Sequence, residues 1–158
     1  MLVDIVLDTN VLMHAHNPAE LRHDTCRELV QEMTTCATHL CVDEGFDLNE
    51  ANNRSVIGSE YIKHLGFGTV GHALIAHLAK SLRVKYVSPR VPQNVSRKIL
   101  QQVRKGPDRT FLKVAFNSND KTLACHDFND VPEGVRARLR EAVGLRIVDS
   151  TVAVAALR

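Results

Sequence analysis

Four carboxylates stand where the chain changes direction. Asp8 closes the apolar run Leu2-Val3-Asp4-Ile5-Val6-Leu7, and Asp127 follows the run Lys121 to Cys125. Asp108 opens a helical segment directly ahead of that second run, and Glu60 lies on a helical segment after a further run ending at Val42. In an open parallel sheet the ligand site lies outside the carboxyl ends of the strands, so these four acids converge on one edge. Such a cluster repels itself unless protons or cations compensate. A donor set made only of oxygen suits Mg2+ or Mn2+ better than Zn2+. An ion of this kind activates a water, orients a phosphodiester and stabilises charge on the attacking and leaving oxygens. Hydrolysis then needs no Ser or Cys nucleophile. Asp8, Glu60, Asp108 and Asp127 are therefore the candidate catalytic residues and metal ligands, with Asp130 as a further ligand. Glu44 competes with Glu60, and Asp130 with Asp127, for the same roles.

The elements that must position these acids alternate between strand and helix. Residues 2–7 read as a strand covered on both faces, being apolar and β-branched without clean alternation. Leu21, Leu29, Val30 and Met33 fall at helical spacing over 19–34. Residues 39–42 read as a strand, 46–53 as a hairpin or loop, 55–65 and 70–82 as helices, and 84–87 as a strand. Pro92 suits the first position of a helix over 92–105, with Gly106 as its stop. A helix over 108–116, a strand over 121–125, a helix over 132–143 and a strand over 145–148 complete the pattern. The expected fold is a single α/β domain over 1–149, with a central parallel sheet of about five strands and helices on both faces. Residues 150–158 read as a loosely anchored tail.

Bulk composition narrows the partners. The chain has 158 residues, enough for one compact domain with a real core. Aromatic residues make up only 4%, with no Trp, so base stacking on exposed rings is not the expected mode of nucleic-acid binding. The net charge of +2 is too small to announce a polyanion partner by itself. Basic residues do concentrate between Arg83 and Arg109, where Arg97, Lys98, Arg104 and Lys105 form either a phosphate-facing track or a solvated helix face. Cys26, Cys36, Cys41 and Cys125 follow no CxxC pattern and no signal peptide precedes them, so reduced thiols and a cytoplasmic location are expected. No apolar run approaches the ~18 residues of a membrane span.

Several motifs resemble one family. Asp8-Thr9-Asn10-Val11-Leu12 after an apolar strand is similar to the opening signature of PIN domains. The segment Asp108 to Ala115, followed by Thr122-Leu-Ala-Cys-His-Asp127-Phe128, resembles their second half, and Ser59-Glu60-Tyr61 resembles the stretch carrying their mid-chain acid. The likeness runs through nearly the whole chain, and it rests on order and spacing rather than on any one loose motif. It implies a five-stranded parallel sheet, dependence on Mg2+ or Mn2+, and cleavage of single-stranded RNA. It also implies either a toxin-type nuclease, whose partner would be a small antitoxin protein, or an RNA-processing enzyme. A homodimer is a further expectation. Two positions depart from the pattern. Cys125 stands where Ser or Thr is frequent, and Asp127 is followed by Asn129 and Asp130.

Each residue also has a plain reading. Asp8 and Asp108 suit helix N-caps, Asn10 either supports a metal ligand or caps the turn, and an exposed helical Glu is usually just solvated. His14 with His16, and His72 with His77, miss the spacing that puts two rings on one helical face, so core histidines and buried thiols are expected rather than zinc ligands. Tyr61 and Phe128 read as core. Two other functions compete: an inactive PIN-like module that binds RNA or protein, and a phosphotransfer receiver. The first has no reason to retain a repulsive set of acids. The second lacks a lysine-bearing strand end, and Asp43 is followed by Glu-Gly rather than a small-residue turn.

Overall fold

A computed structural model describes residues 1–158. Strands β1 (Asp4–Leu7), β2 (His39–Asp43), β3 (Val84–Val87), β4 (Thr122–Ala124) and β5 (Arg146–Val148) form one five-stranded, all-parallel sheet. Their order is β3-β2-β1-β4-β5. Eight helices surround it: α1 (Thr9–His16), α2 (His23–Thr35), α3 (Val56–His64), α4 (Val70–Lys80), α5 (Gln93–Gln102), α6 (Gly106–Asn117), α7 (Glu133–Val143) and α8 (Ser150–Leu157). The expected single α/β domain is therefore the observed one.

The order explains where a site must form. The chain steps from β1 outward to β2 and β3, then crosses back to β4 and β5 on the other side. Right-handed crossovers send helices of the two halves to opposite faces. The packing follows this for α1, α2 and α4 on one side and α5, α6 and α7 on the other, whereas α3 touches both α6 and α1, and the last helix, α8, packs on α2. Between β1 and β4 the direction of winding reverses, which opens a crevice at their carboxyl ends. Burial on both faces accounts for the apolar β1, whose four residues are all buried, Asp4 included. One core of 40 buried residues joins the layers.

Local departures from the sequence reading have specific causes. Helix α1 begins directly after β1, where no helix was expected. Its buried face is short, Val11, Leu12 and Ala15, so its periodicity is weak. Helix α5 ends at Gln102, not 105, because Val103 is extended and buried. Gly106 is consequently not a stop but the first residue of α6, with Pro107 in the first turn, where its missing N–H costs nothing. Gly58, in the first turn of α3, leaves room that a Cβ would take from Phe46 and the side chain of Asn53.

The tail is not loose. Residues 150–157 form α8, capped by Asp149, whose carboxylate accepts from Val152 N at 2.9 Å. Ala153, Val154 and Leu157 are buried, and α8 packs on α2. Arg158 then pairs with Glu32 at 2.8 Å. An all-apolar stretch shows no period, so its helix is decided by the surface it covers. No helix is long and apolar enough to cross a membrane.

Candidate metal centre

Asp8, Asp108 and Asp127 meet in the crevice between the ends of β1 and β4. Together with Thr9, Asn10 and Glu60 they line a cavity of about 250 Å3. A larger hollow of about 520 Å3 lies along α7 and β5, lined by acids and bases together, Glu133 and Glu141 with Arg136, Arg140 and Arg146. No buried polar side-chain atom there lacks a partner, whereas two in the acid crevice do: Thr9 Oγ1 and Asp108 Oδ2. Chemistry therefore points to the smaller cavity.

Asp8 occupies the N-cap position of α1, yet its side chain makes no capping hydrogen bond. Its one side-chain partner is Cys125, whose Sγ donates to Oδ2 at 3.3 Å. Burial, reinforced by the charges of Asp108 and Asp127, pushes the carboxyl up to about 6. The plain reading as a helix cap thus fails on geometry.

Asp108 is not the N-cap of its helix either. Lys105 holds that position, and Asp108 sits within the first turn of α6. There it faces the crevice with Oδ2 buried and unpartnered. Its pKa is raised, by burial first and then by Asp127, Asp130 and Glu60, although Lys105 opposes them.

Asp127 lies on the loop after β4. Its amide donates to Cys125 Sγ at 3.4 Å, and its Oδ1 accepts the amide of Asp130 at 2.9 Å. Carboxylate oxygens of Asp108, Asp127 and Asp130 lie within 4.8 Å of one another. Asp130 is set apart by an ion pair with Lys105, which holds its carboxyl below the ordinary value.

Glu60 reaches the cavity from α3, paired with His64 at 3.5 Å one turn on. Two anchors fix that helix, and the sequence reading assigned neither. Asp43, 4% exposed at the end of β2, accepts from Ser55 Oγ and from the amides of Val56 and Ile57, at 2.7 and 3.0 Å. Tyr61 Oη donates to the Leu7 carbonyl at 2.6 Å, which ties α3 to the end of β1. Tyr61 is core, as read, but a core residue with a positioning hydroxyl. Nothing in local sequence links a strand-end Asp to a helix start beyond a polar loop. Glu44 is exposed and does not line the cavity.

The basic track divides. Lys105 lines the acid cavity, and Arg104 beside it is exposed. Arg97 and Lys98 are exposed on α5, and Lys98 borders a separate groove with Gln102 and Arg138. Phe128, expected in the core, is half-buried between the guanidinium groups of Arg136 at 4.0 Å and Arg22 at 4.8 Å.

The donor set tests a hard divalent cation directly. All of the acid side chains offer oxygen, one oxygen is buried without a partner, and burial beside two other acids holds the carboxyl of Asp8 well above the ordinary carboxylate range. These residues fit Mg2+ or Mn2+. Comparison with protein-family models, curated proteins and solved structures finds no match.

Proposed function

We propose that this chain is a divalent-metal-dependent endoribonuclease that hydrolyses phosphodiester bonds of single-stranded RNA, with the PIN-domain family as its model. The observation that carries the reading is the buried, unpartnered Oδ2 of Asp108, facing Asp8 and Asp127 across the switch point of a parallel sheet. Asp8, Asp108 and Asp127 hold Mg2+ or Mn2+, Glu60 completes the oxygen set, and Asp130 stands by on its ion pair with Lys105. A bound cation supplies charge neutralisation at the phosphodiester and a more acidic attacking water.

The chain's own groups account for the rest. Helices α1 and α6 both begin at the cavity, so their free N–H groups and dipoles favour a phosphate there. Asn10, in the first turn of α1, offers an amide to the substrate. Lys105 borders the cavity, and Arg104 stands exposed beside it, with positive charge that an RNA backbone neutralises. Arg97 and Lys98, one helix away, extend this surface along a longer strand.

The test is cleavage of a fluorescent single-stranded RNA with Mn2+, by the wild type and by Asp108→Asn. Loss of cleavage in the variant, with an unchanged circular dichroism spectrum, supports the assignment. Full Mn2+-dependent activity in Asp108→Asn removes it. Whether such an enzyme acts as a toxin or in RNA processing is read from co-purification of a small inhibitory protein, a cytoplasmic antitoxin in the first case. Gel filtration then reports the proposed homodimer.

A further inference from the structure

Two histidines and a cysteine that no single helix could bring together meet beside the acid crevice. His14 comes from α1, Cys26 from α2, and His126 from the loop after β4. His14 Nδ1 lies 3.3 Å from His126 Nδ1, and Cys26 Sγ lies 3.4 Å from that same nitrogen. All three ligand atoms lie within 4.8 Å of one another. A tetrahedral ion with bonds of about 2.0–2.1 Å to nitrogen and about 2.3 Å to sulfur spaces its ligands roughly 3.3 Å apart for N–N and roughly 3.5 Å for N–S.

We propose that His14, Cys26 and His126 form a binding site for a borderline transition-metal ion, Zn2+ by preference, with the fourth position open to solvent. A thiolate with two imidazoles selects such an ion over Mg2+ or Mn2+, the reverse of the oxygen-only crevice. Access exists: a cavity of about 370 Å3, lined in part by Asn10, His14, His126 and Asn129, opens over the cluster. Cys26 and His126 are buried, while the side chain of His14 is 25% exposed. His14 Nε2 faces Glu20 Oε2 at 3.9 Å, on the side where a ligating imidazole carries its proton. The inference is independent of the nuclease reading.

The proton inventory gives the site a signature. Without an ion, the Ser150 amide donates to His126 Nε2 at 3.0 Å, so the neutral ring carries its proton on Nδ1. That proton points between His14 Nδ1 and Cys26 Sγ, where the ion would sit. Loading releases the thiol proton to solvent and transfers the ring proton to Nε2. The Ser150 amide, first residue of α8, then loses its acceptor, and this lowers the affinity below that of an unencumbered set. Metal loading is thereby coupled to the start of the last helix.

The probe is Co2+, titrated into the reduced full chain. One equivalent is expected to give a sulfur-to-cobalt charge-transfer band and the intense visible bands of four-coordinate cobalt, both abolished by Zn2+. Cys26→Ser should erase the charge-transfer band, and Asp108→Asn should leave it. His14→Ala, changed at the most exposed of the three positions, should weaken Co2+ by more than the ~10–100-fold lost when only a neighbour of a ligand is removed. The Ser150 amide resonance should shift on loading. Absence of the band in the wild type overturns the site. So does a band that survives Cys26→Ser, or an affinity unchanged in folded His14→Ala.

Discussion

Strand β1 carries an aspartate at each end, and the two live in opposite circumstances. Asp4, fully buried, accepts from Lys85 Nζ at 2.7 Å and from the amides of Asn119 and Asp120, both at 3.1 Å. Burial raises its pKa, but Lys85 and the two amides outweigh burial and leave the carboxyl below its ordinary value. Asp8 has one thiol and two neighbouring acids instead, and its carboxyl sits near 6. The residue type is the same and so is the strand. The difference lies in whether the fold provides compensating charge: it does at Asp4 and does not at Asp8. At the amino end of β1 the buried charge is structural. At its carboxyl end the charge is left uncompensated, unlike that of Asp43 at the end of β2, which three hydrogen bonds hold.

The comparison breaks most visibly at Asp4. Removing Asp4 leaves Lys85, whose side chain is 37% exposed, and two backbone amides without their acceptor, so Asp4→Ala should lose about 2–3 kcal/mol in urea unfolding. A loss below ~1 kcal/mol, the range of surface pairs, would erase the contrast.

At Asp8 the sign reverses. Its folded pKa of about 6 exceeds the ordinary 3.8, so its contribution to stability is present at acid pH and is lost as pH rises through 6. In EDTA at pH 7, Asp8→Asn should therefore be more stable than the wild type by about 2–3 kcal/mol at ~1.4 kcal/mol per pK unit, the gain fading toward pH 4. RNA cleavage by the same variant should fall by more than ~100-fold. A stability difference independent of pH would show that Asp8 is already compensated.

Glu60 sharpens the account at the same edge. Glu60→Gln should lower cleavage by more than the ~10–100-fold of a change beside a ligand and raise the Mn2+ concentration needed, whereas Glu44→Gln should leave both unchanged. The reverse ranking would relocate the mid-chain ligand to the loop after β2. The smallest effect concerns the cations. Each lost phosphate contact flattens the salt dependence of single-strand binding by ~0.7 in log–log slope, so Arg104→Ala with Lys105→Ala should change it by roughly 1.4. Arg97→Ala with Lys98→Ala should change it less, by fluorescence anisotropy.

The sequence by itself determined the alternation of strand and helix, the parallel sheet, and the arrival of Asp8 and Asp127 at strand ends. Those features follow from local pattern: an apolar run ending in an acid is visible wherever the chain later goes. Only the tertiary structure decided that Asp8 caps nothing, that Asp108 is buried in a first turn, and that Asp43 anchors the helix of Glu60. It also turned the tail into α8 and joined His14 and Cys26 to His126. Each of these depends on a contact between segments far apart in the chain, set by crossover handedness and by which faces remain to be covered. No short-range periodicity carries that information.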